Sequence, residues 1–122
     1  MKSVLLNNDY ELFENGNCFS HKSNKYLKPS INSSGYERLE LWEKGKRIRI
    51  FTHIKVVEYF GDCNGNRIPQ NNGTLVELGL SIDHLDRNKH NNARSNLELV
   101  SHKENCKRWH YVERPEDDEL PF

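Results

Sequence analysis

Hydrophobic and polar positions divide the chain into stretches of different rhythm. From residue 10 to about residue 51, short aromatic or β-branched runs are punctuated by Asn15-Gly16, Ser23-Asn24, Pro29-Ser30 and Ser34-Gly35. Runs bounded by turn formers predict a meander of short strands, near residues 10–13, 18–21, 36–42 and 47–52. Glu43-Lys44-Gly45-Lys46 is the hairpin turn between the last two. Alternation over residues 36–42 is imperfect, so the pattern leaves the buried face open. The period then changes: residues 53/54, 57 and 60 repeat at helical spacing, with Thr52 ahead and Gly61 behind. This predicts a short helix capped by Thr52 and stopped by Gly61. Residues 62–73, rich in Asn, Gly and Pro, read as a loop longer than its connection needs, either a contact loop or an insertion without function.

A second apolar run, Leu75, Val76, Leu78, Leu80 and Ile82, has the composition of a strand leaving a core, and it delivers Asp83 and His84 to its exit. Residues 87–95 are polar and Asn-rich, as in a surface loop that bonds its own backbone. Residues 96–100 alternate again as a short strand, and Ser101-His102-Lys103-Glu104 is a capping-box pattern that starts a helix with Asn105 in its first turns. The expected fold is α+β in a single domain. A small antiparallel β-module spans 1–51, a helix plus a strand–loop–strand–helix core spans 52–112, and an acidic, disordered tail spans 113–122.

At 122 residues, 34% hydrophobic and 30% charged, the chain is polar yet able to bury a modest core. No run reaches the length of a membrane span and the first residues lack the apolar stretch of a signal peptide, so a cytoplasmic location is expected. Cys18, Cys63 and Cys106 form no CxxC pair and fit reduced thiols. The formal net charge of zero averages two unlike regions. Residues 113–122 hold five acids against Arg114, a net of −4, which leaves +4 on residues 1–112. Clusters containing Arg47 and Arg49; Arg87, Lys89 and Arg94; and Lys103, Lys107 and Arg108 are candidate DNA-binding cations. The same clusters read equally as solvated surface.

Strand, polar loop, strand and helix, filled by Ile82-Asp83-His84-Leu85-Asp86, Asn88-Lys89, Asn91-Asn92, Ser95 through Val100 and Ser101 through Asn105, resemble the ββα-metal core of the HNH endonuclease family, phage and homing type. The resemblance implies His84 as general base, Asp83 and Asn105 as metal ligands, and Asn96 as the residue that steadies the loop so that His84 is aimed. The family's usual third letter, a His, is here Asn105. Residues 52–61 resemble the family's His-bearing helix, where His53 has a structural role, and residues 10–36 resemble the β-module ahead of many phage members. The chemistry is consistent with these roles. An unperturbed imidazole, with pKa about 6.5, is mostly neutral at physiological pH and can take a proton from water. Two hard oxygen ligands leave an octahedral ion open to water and phosphate, which suits one Mg²⁺ or Mn²⁺ ion. Because neighbouring strand residues face opposite ways, Asp83 and His84 sharing one site predicts a backbone irregularity between them.

Rival readings are few. An EF-hand starting at Asp86 fails, because Asn91 stands at the Gly position and Leu97 at that of the bidentate Glu. His102, Cys106 and His110 stand four apart on one helical stripe, a candidate zinc site lacking a fourth ligand at conventional spacing. The tip Asp117-Asp118-Glu119-Leu120-Pro121-Phe122 resembles the C-terminal tip of bacterial single-stranded-DNA-binding proteins. That resemblance implies a protein partner that recognises such tips; the alternative is a solubilising end, or one folding back on the basic body. The expected function is metal-dependent DNA cleavage, nicking as a monomer or cutting both strands as a dimer. Its alternatives are a non-catalytic DNA-binding or interaction protein whose tail engages replication or repair proteins, and a zinc-stabilised adaptor.

Overall fold

The computed structural model of the chain describes residues 1–68, 74–75 and 77–113, with side chains as far as Trp109. Expectations placed on residues 114–122, the disordered tail and its partner-binding tip, and on the side chain of His110, lie outside the described residues. Four strands, β1 (Ser3–Asn7), β2 (Tyr10–Phe13), β3 (Cys18–Ser20) and β4 (Lys25–Tyr26), form an antiparallel meander in chain order. Of these, β1 and β4 have no counterpart in the hydrophobic pattern. Neither has a fully buried residue: β1 only half-buries Val4 and Leu6 against the core, and β4 is two exposed residues.

A second sheet holds β5 (Ser30–Ile31), β6 (Glu37–Glu43) and β7 (Lys46–Phe51). Leu39 and Leu41 are the buried positions of β6, which settles its inward face; Arg38, Glu40 and Trp42 lie on the other. The β6–β7 turn is the pair Lys44-Gly45, both at positive φ (52° and 77°), the geometry whose twist matches a two-residue hairpin.

Strand β7 runs without a linker into α1 (Thr52–Phe60). Thr52 is therefore not the cap. Phe51 holds the cap position with no side-chain bond, while Thr52 is the first helical residue, 1% exposed, its hydroxyl without a partner. The direct junction turns Thr52 into the core, beside His53, Val56 and Val57 on one buried stripe. Gly61, at φ 88°, ends the helix and donates its N–H to the carbonyl of Val57.

The apolar run ahead of Asp83 is shorter as a strand than its composition predicts. Leu75, Glu77 and Leu78 sit in turns, with Leu78 N–H donating to the Thr74 carbonyl, and Gly79 (φ 68°) releases the chain into β8 (Leu80–His84). A single 3-10 turn (Arg94–Asn96) leads into β9 (Leu97–Ser101), which pairs with β8, and α2 (His102–Glu113) follows at once. Of the capping box at α2 only the serine half forms: Ser101 Oγ accepts from Glu104 N–H at 3.1 Å, while the Glu104 carboxylate takes Arg108 instead. Tyr10, Leu12, Cys18, Leu39, Leu41, Val56, Val57, Ile82 and Leu97 share one core, so both sheets, α1 and the β8–β9 hairpin pack as one body. Among the described residues no helix is long and apolar enough to cross a membrane.

Candidate active site

The β8–β9 ladder is regular to its last rung, His84 opposite Leu97. The irregularity expected between Asp83 and His84 does not occur. The two residues follow strand alternation and leave opposite faces of the hairpin, and the break comes three residues on, at Arg87 with φ 66°. Both side chains are nevertheless buried, each 1% exposed, because both faces are covered: α2 lies against Asp83, and Tyr36 with His53 of α1 against His84.

On the His84 side, the His53 ring stacks on Tyr36 at 4.9 Å and 15°, and lies 5.3 Å from the His84 ring. His84 Nε2 bonds Asn92 Oδ1 at 2.8 Å. Burial lowers the His84 pKa, helped by Lys89 and opposed by the Asn92 bond and the carboxylates of Asp86 and Asp83. The imidazole is thus neutral at physiological pH and keeps a lone pair for a proton. Burial, with the charge of His84, pushes His53 down to about 3. A depressed imidazole pKa means that the unfolded chain takes the proton first. Stability is then full above about pH 6.5 and falls, by up to about 1.4 kcal/mol per unit, as pH drops toward 3. Urea unfolding at pH 7 and pH 5 should show a difference about 2 kcal/mol smaller in His53→Phe than in wild type. Equal differences would remove His53 as the acid-sensitive group.

On the other side, Asp83 Oδ1 accepts from Arg87 Nη1 (2.8 Å) and Trp109 Nε1 (3.1 Å), and Oδ2 from Arg108 Nη1 (3.0 Å). Arg108 also binds Glu98 (2.6 Å) and Glu104 (2.8 Å), and these carboxylates raise its pKa. Each carboxylate oxygen carries two lone pairs, so Oδ2 retains one. Asn105, one helical turn before Trp109, has its Oδ1 buried with no partner. An orphaned buried carbonyl oxygen costs about 1–3 kcal/mol unless something binds it. Each of these oxygens, the spare lone pair on Asp83 and the unpaired Asn105 amide oxygen, is by its chemistry a hard ligand of the kind a divalent cation takes. Asn105 also lines a groove of about 490 Å³ shared with Tyr36, His53, Ile82 and His102.

With this geometry in place, residues 51–107 match the family model described as HNH endonuclease. DNA endonuclease I-HmuI of Bacillus phage SP01 is 36% identical over 96 residues, covering 79% of this chain and 48% of that protein. H-N-H endonuclease F-TflII of Escherichia phage T5 is 32% identical over 93 residues, covering 76% and 43%. A solved structure described as DNA binding and cleavage by the HNH homing endonuclease I-HmuI superposes with a TM-score of 0.72 at 30% identity, over 97% of this chain and 62% of that one. Residues 51–107 thus match the HNH endonuclease family. The chain spans about half or less of the length of these phage relatives.

Within the HNH core, Asn96 bonds the loop and not His84. Its Oδ1 accepts from Asp86 N–H (3.0 Å), and its Nδ2 donates to Asp86 Oδ1 (2.8 Å) and to the Asn91 carbonyl (2.8 Å). The side chain hydrogen-bonded to His84 is Asn92, which sequence reasoning left without a role. The cations divide. Arg87 and Arg108 are spent on Asp83, and Arg94 Nε donates to the Asp62 carbonyl at 3.1 Å. Lys89 bonds the Ser34 carbonyl and lies over the rings of Tyr36 and Trp109. Arg47 and Arg49 share Glu40 on the β6–β7 hairpin, and Lys103 and Lys107 are exposed on α2. On the zinc stripe, His102 is bonded to Ser81 (2.8 Å) and Cys106 (3.5 Å), and among the described residues no group of three His, Cys, Asp or Glu could hold a metal.

The loop after α1 is anchored at its start. Asp62 is fully buried; its Oδ1 accepts from the N–H groups of Asn64 (2.9 Å) and Asn66 (2.8 Å), and its Oδ2 from Leu99 N–H (2.8 Å) in β9. The loop is therefore tied to the strand opposite Asp83. Residues 69–73 lie outside the described residues.

Proposed function

We propose that the chain hydrolyses DNA phosphodiesters, with His84 as general base and one Mg²⁺ or Mn²⁺ ion held by Asp83 and Asn105, acting in the cytoplasm of a host cell. The observation that carries this reading is the buried, neutral His84 at the end of a strand whose adjacent carboxylate, together with the unpaired Asn105 oxygen, offers hard ligands. When bound, the ion supplies positive charge to the phosphate and the departing 3′-oxygen. His84 takes the proton from the attacking water. Lys89, lying over the rings of Tyr36 and Trp109 and bonded to the neutral Ser34 carbonyl, keeps its charge for an approaching phosphate, while Arg87 and Arg108 are neutralised by Asp83, Glu98 and Glu104. Residues 1–51 serve as the module that meets DNA beside the 52–112 core, through the exposed Trp42 and the cations Arg47 and Arg49 on its hairpin. Lys103 and Lys107 offer a second phosphate contact on α2.

Incubation of the full chain with supercoiled plasmid tests the reading. Conversion to nicked or linear DNA is expected with Mg²⁺ or Mn²⁺ and none with EDTA. Folded protein that leaves the plasmid intact across metals and salt would overturn it. Asn105→Ala should raise the Mn²⁺ concentration for half-maximal cleavage, and weaken Mn²⁺ binding measured by calorimetry, by about 10–100-fold. An unchanged metal requirement would take Asn105 out of the ligand set.

A further inference from the structure

Asn92 is 3% exposed and has two polar partners: His84 Nε2 on its Oδ1 at 2.8 Å, and Glu37 Oε1 receiving from its Nδ2 at 3.1 Å. These bonds are not interchangeable. A carboxylate only accepts, so Glu37 can face the NH₂ end of the Asn92 amide and not its carbonyl. With the NH₂ end committed, the carbonyl faces His84, and a carbonyl only accepts. The ring must then carry its proton on Nε2. Nδ1 is left as the lone-pair nitrogen, and no hydrogen bond reaches it among the described residues. A charged residue on β6, 55 positions away in sequence from Asn92, thereby decides which imidazole nitrogen can accept a proton.

The base of the Asn92 side chain and its backbone are also backed closely. Gly16, at φ 92°, lies so close that a Cβ there would sit 3.0 Å from Asn92 Cβ and 3.2 Å from the backbone carbonyl oxygen of Asn92. The β2–β3 turn thus backs Asn92 as Glu37 orients it, and both come from the N-terminal sheets and not from the core that carries His84.

We propose that Asn92 and Glu37 are positioning residues for the general base: Glu37 sets the orientation of the Asn92 amide, and Asn92 holds His84 as the Nε2–H tautomer with Nδ1 free to receive the proton from water. This rests on the reading of His84 as the base. It extends that reading by making the β-module part of the catalytic apparatus as well as a DNA-contact element.

The test separates the two. In the full-length chain, ¹⁵N-labelled at histidine and held at neutral pH, long-range ¹H–¹⁵N spectra report the His84 tautomer without any turnover. Wild type should show a protonated Nε2 and an unprotonated Nδ1. Glu37→Gln keeps size and hydrogen-bonding reach but no longer forbids the flipped amide. A second set of His84 signals with Nδ1 protonated should appear, and kcat should fall while KM stays within about twofold. A purely structural bond would leave one tautomer and an unchanged kcat. Asn92→Leu removes the acceptor and should lower kcat by about 10–100-fold. A wild-type ring protonated at Nδ1, or a Glu37→Gln protein identical to wild type in both tautomer and kcat, would overturn the proposal. Wild type with the expected tautomer but no cleavage would instead count against the nuclease reading and leave the relay standing.

Discussion

His84→Ala is expected to lower the single-turnover rate of metal-dependent DNA cleavage by about 10²–10⁴-fold, the usual contribution of a positioned general base. Duplex affinity should stay within about twofold, because His84 is 1% exposed and the exposed cations are elsewhere. The loss belongs to the chemical step. Among the described residues His84 is the buried neutral imidazole next to Asp83. The other buried imidazole, His53, stacks on Tyr36 and is pushed down to about 3, too weak a base for the task. Rates are compared with enzyme in excess and with circular dichroism confirming the fold. A His84→Ala rate within tenfold of wild type would show that another group takes the proton.

Asp62→Ala should remove about 4 kcal/mol of stability, much of the 5–15 kcal/mol that holds a domain of this size. The carboxylate satisfies three backbone N–H groups from a fully buried position, those of Asn64, Asn66 and Leu99. Deleting it strands three donors at about 1–3 kcal/mol each, partly recovered by water reaching the loop. Asp62→Asn keeps the shape but turns one acceptor into a donor facing a donor, and should cost about half as much. Urea unfolding measures both. Because Leu99 lies in β9, which pairs with the strand bearing Asp83 and His84, the Ala variant should also lose cleavage at temperatures where it remains folded. A variant within 1 kcal/mol of wild type would mean that water replaces Asp62 without penalty.

The parts of the fold that were legible in sequence are those set by local rules. Lys44-Gly45 between two β runs is turn chemistry, and Gly61 after an apolar helical stripe is a stop; both act within a few residues. The core motif was legible because its residues stand at fixed spacing. What escaped the sequence depends on distant surfaces. Thr52 has the composition of a helix cap, but β7 runs straight into α1 and carries it into the core. Leu75 and Leu78 continue the hydrophobic run of β8, yet a turn anchored on Thr74 keeps them out of the ladder. Strand β1 only half-buries Val4 and Leu6, and β4 is two exposed residues, so neither stood out in the pattern.

The candidate site divides the same way. Asp83, His84 and Asn105 could be named from the motif. Their separation onto two faces, each with its own cover of Arg108 and Trp109 or of Tyr36 and His53, could not. Four asparagines, Asn88, Asn91, Asn92 and Asn96, share one loop region and one chemistry. Only the fold distinguishes Asn92, which bonds His84, from Asn96, which ties Asp86 to the carbonyl of Asn91. Glu37 gave no local signal, since its partner lies 55 residues on. Asp62 opens a polar loop where an acid is unremarkable, and its role appears only once Leu99 is seen to donate to it.

The central claim is that water, deprotonated at His84, attacks phosphorus. Cleaving a defined duplex under single-turnover conditions in ¹⁸O-labelled water with Mn²⁺, then weighing the new phosphate end by mass spectrometry, tests it most directly. The account predicts one ¹⁸O atom in that phosphate for each bond cut. Cleavage that leaves the phosphate unlabelled would mean that a C–O bond breaks instead, as in elimination at the sugar, and would contradict it.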